Sequence, residues 1–111
     1  MDAREKGATA IVLSHTPRNM FDNGKISRNT TSFGAWSSQA AADAGAFYID
    51  LNKISGDKLE KIAWEEGLGK VAEYFKRDHT HSSLKGARLN AQSIAEGLRG
   101  SDCPLKNYLK D

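Results

Sequence analysis

The chain has 111 residues, is 39% hydrophobic and 27% charged, and carries 16 Lys and Arg against 14 Asp and Glu, a formal charge of +2. This is the length of one domain of globular composition, with no apolar run near the roughly 20 residues that would span a bilayer. Its basic residues are scattered among acids without aromatic interleaving, which excludes a nucleic-acid-binding pattern, and the single Cys103 has no internal disulfide partner.

The segment 1–7 is polar, lacks the apolar core of a signal peptide and reads as the end of a helix. Ala8 to Ser14, centred on Ile11, Val12 and Leu13, predicts a short strand buried on both faces, the kind found in parallel sheets. From His15 to Thr31 the chain is rich in Asn, Gly, Arg and Ser, with Asp22-Asn23-Gly24 as a turn signal, so a long surface loop is expected. Ser32 is placed to cap a helix over 33–44, with Phe33, Trp36, Ala40 and Ala44 on its core face and Gly45 beyond its end.

Ala46 to Leu51 predicts a second strand. A helix beginning at Ser55 or Asp57 should run through Leu59, Ile62, Ala63 and Trp64, break near Gly67 and Gly69, and resume through Val71, Tyr74 and Phe75. From Ser83 the apolar set Leu84, Ala87, Ala91, Ile94, Ala95 and Leu98 keeps helical spacing up to Gly100. Two strands alone cannot cover these helix faces or satisfy their own outer backbone groups. The chain therefore reads as part of a sheet completed by an N-terminal segment, a second copy of itself, or another partner.

Chemistry concentrates in Arg77-Asp78-His79-Thr80-His81-Ser82-Ser83. An Asp three residues before a His in a loop can turn its carboxylate onto the imidazole, fixing the tautomer and stabilising the imidazolium formed when the ring takes a proton from a serine hydroxyl. The same residues also fit a turn-capping Asp78 and a surface His81. A metal site built from Asp78, His79, His81 and the distant His15 is a third reading, but an H-x-H pair without further close ligands is a weak signal. His15 lies where the first strand ends, the edge at which ligands bind in open parallel sheets. There His15, Arg18 and Asn19 are candidate substrate contacts, with Phe21 beside them, against the alternative of a solvated basic loop anchored by one aromatic. Trp36 is expected in the core, while Trp64 falls outside the Leu59-Ile62-Ala63 face.

The string Asp78-His79-Thr80-His81-Ser82-Ser83, followed by Gly86-Ala87 and an amphipathic last helix, resembles the final block of the GDSL/SGNH hydrolases, most closely the rhamnogalacturonan acetylesterase group. The Ala10-Ile11-Val12-Leu13-Ser14 strand, Thr16-Pro17-Arg18, Gln39-Ala40-Ala41 and Phe47-Tyr48-Ile49-Asp50-Leu51 are also similar to later elements of that family. The resemblance implies an α/β, three-layer flavodoxin-like fold with a parallel sheet, of which residues 1–111 would form a partial, C-terminal domain. It further implies that Asp78 and His81 are two members of a triad.

The chain departs from the family in having neither the Gly-Asp-Ser block that carries the nucleophile nor the Gly and Gly-x-Asn-Asp contributors to the oxyanion hole. Ser14, Ser27, Ser82 and Ser83 do not stand in a Gly-flanked strand-to-helix turn that would expose an activated hydroxyl. The expectation is part of a serine esterase that removes acetyl groups from a polysaccharide such as rhamnogalacturonan, needing no cofactor, inactive alone, and completed by a missing N-terminal half or a second copy. The rival readings are a non-catalytic binding module of the same fold, and an esterase acting on acetylxylan or lipid esters. Secretion or a periplasmic location is implied by the resemblance alone.

Overall fold

The computed structural model describes residues 3–28 and 33–110. In chain order these form a 3₁₀ turn (Ala3–Lys6), β1 (Ile11–Leu13), β2 (Phe21–Asp22), β3 (Lys25–Ile26), α1 (Phe33–Ala44), β4 (Phe47–Ile49), α2 (Leu51–Glu66), α3 (Leu68–Ala72), α4 (Leu84–Arg99) and a closing 3₁₀ turn (Pro104–Tyr108). The expected Ser32 cap of α1 lies outside the described residues.

β1 and β4 pair in parallel, with Ile11 against Phe47, Val12 against Tyr48 and Leu13 against Ile49. This bears out the α/β reading. At the C-terminal end of the pair, Ser14 N donates to Ile49 O at 3.1 Å. The Ser14 hydroxyl donates to Asp50 Oδ1 at 2.8 Å and accepts from Asn52 N at 2.8 Å. Asp50 Oδ1 also accepts from Lys53 N at 3.2 Å, making Asp50 the N-cap of α2. The second strand therefore stops at Ile49 and the helix starts at Leu51, earlier than the Ser55 or Asp57 start expected from apolar spacing. A capping carboxylate satisfies an otherwise orphaned N–H of the first turn, and that outweighs the strand propensity of the preceding run.

The stretch expected to be a long loop contains a hairpin. β2 and β3 are antiparallel, Phe21 against Ile26 and Asp22 against Lys25. They are joined by Asn23 (φ 49°) and Gly24 (φ 78°), the left-handed pair that a two-residue type I′ turn demands. The hairpin is fastened to α2 by Arg28, whose guanidinium reaches Asp57 at 2.8 Å and Glu60 at 2.9 Å and the Lys53 carbonyl at 3.2 Å. Glu60 Oε1 in turn accepts from Ile26 N at 3.0 Å.

The main core lies away from the sheet. Ile26, Leu59, Val71, Phe75 and Leu89 form one buried cluster, with Phe21, Ile62, Ala63 and Tyr74 packed against it. Hairpin, α2, α3 and α4 thus share one apolar centre, and α1 packs on β1 and β4. The Cα radius of gyration is 15.1 Å, against about 13 Å for a compact domain near this size.

Two helix faces differ from the expected ones. Among the residues of α1 whose burial is described, Ala41 is buried, while Ala40 and Ala44 are exposed and Trp36, expected in the core, is 65% exposed. The side chain of Phe33, also expected there, lies outside the described ones. In α4, Leu84 is 70% exposed, and Ala87 and Ala91 are exposed, whereas Gly86, Leu89 and Ser93 are buried. Close approach selects this face: a β carbon on Gly97 would stand 2.5 Å from Cγ2 of Ile49, so the backbone of α4 lies almost against β4. The boundaries of α4 agree with expectation, Ser83 capping it through Gly86 N at 3.2 Å and Gly100 closing it.

Candidate active site

After α3 the chain turns through Tyr74 into Phe75, which is 6% exposed and pairs antiparallel with Ser82. Between these two feet residues 76–81 form a short exposed loop. Its base is closed by Lys76 N donating to His81 O at 2.9 Å and Ser83 N donating to Tyr74 O at 3.1 Å. Ser83 Oγ also donates to Glu73 O at 2.7 Å. The loop is tied to the segment after β1 by Asn19 N donating to His79 O at 2.8 Å.

Within the loop Asp78 uses both carboxylate oxygens. Oδ1 accepts the backbone N–H groups of Thr80 (2.9 Å) and His81 (2.7 Å), and Oδ2 lies 2.5 Å from Nδ1 of the His81 ring. The two readings of Asp78, turn residue and imidazole partner, are therefore both true of one side chain. The ring hydrogen bond, followed by the backbone N–H groups of His81 and Thr80, holds the Asp78 carboxyl well below the usual carboxylate range. An ionised carboxylate only accepts, so the shared proton sits on Nδ1. In the neutral ring Nε2 is then the nitrogen without a hydrogen, and the His81 side chain is 73% exposed. Nearby, Glu73 is held below its ordinary value by Lys85 and Lys70, and Lys85 is raised by Glu73. Lys85 also stands 4.8 Å above the Tyr74 ring. These contacts brace the start of α4 against the turn that leads into the loop.

Of the other residues singled out, Asn19 meets the dyad's loop through its backbone N–H, and Arg18 beside it is exposed. His15 is exposed at the end of β1. Among the described residues no three His, Cys, Asp or Glu side chains gather as a metal site. Trp64 is 90% exposed and borders a cleft of about 200 Å³ with Phe21, Asn23, Gly24, Ala63 and Leu68.

Of the serines named above, Ser14, Ser82 and Ser83 are engaged in structure. Ser14 is 4% exposed and joins β1 to α2, and Ser83 is the cap of α4. Ser82 accepts from Asn90 Nδ2 at 3.3 Å, and Asn90 Oδ1 accepts from Ser55 Oγ at 2.8 Å. Apolar periodicity does not single out Asn90, nor the packing role of Gly86, because it ignores both residue types. The available signal was their shared face with Leu89 and Ser93.

No protein-family profile matches the chain. It is similar to three rhamnogalacturonan acetylesterases. One, from Emericella nidulans, is 28% identical over 105 residues, covering 95% of this chain and 41% of its own length. A probable rhamnogalacturonan acetylesterase, YesY of Bacillus subtilis, is 31% identical, covering 93% of this chain and 48% of its own. RhgT of the same organism is 29% identical, covering 96% and 51%. The chain thus spans about half the length of the curated relatives it matches.

Proposed function

We propose that this chain supplies the acid–base half of a serine esterase that removes acetyl groups from a polysaccharide such as rhamnogalacturonan, the substrate class in the relatives' names. The observation that carries the reading is the double hold of Asp78 on His81, through the main-chain N–H and through ring Nδ1. With Nδ1–H directed at the carboxylate, Nε2 takes the proton of an attacking serine hydroxyl and later returns it to the leaving sugar hydroxyl. Asp78 orients the ring and stabilises the imidazolium between these steps. The nucleophile and oxyanion donors come from the portion of the fold that the relatives have and this chain does not cover. His15 and Arg18, near the end of β1 and beside Asn19, are proposed to border the bound polysaccharide.

The test replaces the matching segment of the Bacillus subtilis relative YesY with this chain and measures acetate release from acetylated rhamnogalacturonan. The chimera should be active, and His81→Ala should lower its turnover by about 100-fold or more, the range for loss of a general base. A folded, active chimera whose turnover ignores His81→Ala would overturn the proposal.

A further inference from the structure

We infer that Asn90 is a positioning residue for His81, acting through the Ser82 hydroxyl; the inference rests on the reading of Asp78 and His81 as a catalytic pair. Residues 76–81 are all exposed, so the loop carrying the pair has little packing of its own and depends on its feet. One foot, Phe75, is sunk in the core. The other, Ser82, directly follows His81 in the chain, and its hydroxyl is met by the Asn90 amide at 3.3 Å.

That amide is itself fixed from the opposite side. Ser55 of α2, with no exposed surface, donates to Asn90 Oδ1 at 2.8 Å. With its oxygen committed to Ser55, the amide must present its N–H₂ to Ser82. A relay of two hydrogen bonds thus runs from the buried face of α2, across α4, to the residue beside the imidazole. Pro17, Phe75, Ser82, Gly86, Leu89 and Asn90 line a void of only about 10 Å³ at this junction, room for about one water. Losing the amide leaves the Ser55 and Ser82 hydroxyls without this partner and removes the side-chain hold on the loop's exit foot, so that only the backbone pairing of residues 75, 76 and 83 is left to keep the His81 ring on Asp78.

The measurement is the ring tautomer of His81 in the isolated chain, read from imidazole 15N shifts through the carbon-bound ring protons, with His15, outside the loop, as internal control. Wild type should hold the Nδ1–H form. Asn90→Leu, similar in size but without polar atoms, should change the His81 tautomer ratio by about threefold or more and leave His15 alone. Asn90→Asp should keep the wild-type ratio, because its two oxygens accept from Ser55 and from a rotated Ser82 hydroxyl.

An unchanged His81 ratio in folded Asn90→Leu overturns the inference. Should that variant not fold, Ser82→Ala breaks the same contact at the loop's edge and decides alone: a shifted ratio supports the relay, and a wild-type ratio overturns it. The readout is a tautomer and not acetate release, so failure of the esterase reading leaves this result distinguishable.

Discussion

A β carbon on Gly86 would overlap the carbonyl oxygen of Tyr74. The first turn of α4 is therefore pressed against the turn that launches the Asp78–His81 loop, and only glycine permits that approach. The same Tyr74 carbonyl accepts Ser83 N, so one backbone oxygen sets the spacing between the loop's entrance and its exit.

Gly86→Ala is expected to destabilise the chain by about 2 kcal/mol or more, since the clash is with backbone and no rotamer relieves it. Urea unfolding followed by circular dichroism measures it. A midpoint within error of wild type would contradict the close packing.

The Asp78 carboxyl should still be ionised where a free aspartate, with its ordinary value of 3.8, is mostly protonated. A depressed folded-state pKa stabilises above the ordinary value, and that contribution is lost as pH falls through the lower folded value. The pairing with His81 should accordingly survive acidification to about pH 3. The carboxyl 13C shift of Asp78 followed against pH checks this, and a midpoint at the ordinary value would refute it.

Arg28→Lys is expected to cost about 1–2 kcal/mol, because an ammonium cannot reproduce the fork that reaches Asp57, Glu60 and the helix carbonyls together. Asp57 is held below its ordinary value, chiefly by Lys53 and, more weakly, by Arg28. The variant should move the Asp57 titration upward only modestly. Chemical denaturation and carboxyl NMR read the two effects, and stability unchanged in Arg28→Lys would show that the clamp is dispensable.

The β1–β4 pair has no third strand among the described residues, leaving an outer edge on each strand open to pairing. The isolated chain is expected to self-associate at high concentration, and to remain single once the complementary part of the fold is supplied. Light scattering across a concentration series measures this. A monodisperse monomer of the isolated chain at the highest concentrations would contradict it.

The sequence alone placed the centre of β1, the C-terminal end of α1, and the start and stop of α4, because those limits are set by local chemistry: Ser83 as a cap, Gly45 and Gly100 as terminators, a β-branched run at Ile11 and Val12. The burial on both faces expected of β1 is not met, since its three residues are half-buried or exposed. The hydrogen bond between Asp78 and His81 was legible as well, since a spacing of three in a loop lets the carboxylate reach both the ring and the amide, an interaction wholly within the loop. The Asn23-Gly24 hairpin was legible too, through the φ preferences of those two residues, but composition pointed to an open loop. What only the tertiary structure decided is which faces are buried. Ala41 is chosen over Trp36, and Gly86, Leu89 and Ser93 over Leu84 and Ala91, because close approach of backbones favours small side chains in ways that apolar spacing does not register. The support beneath the dyad belongs to the same class: Ser55, Ser82 and Asn90 are far apart in the chain, and only packing of α4 on α2 makes one hydrogen-bonded path of them.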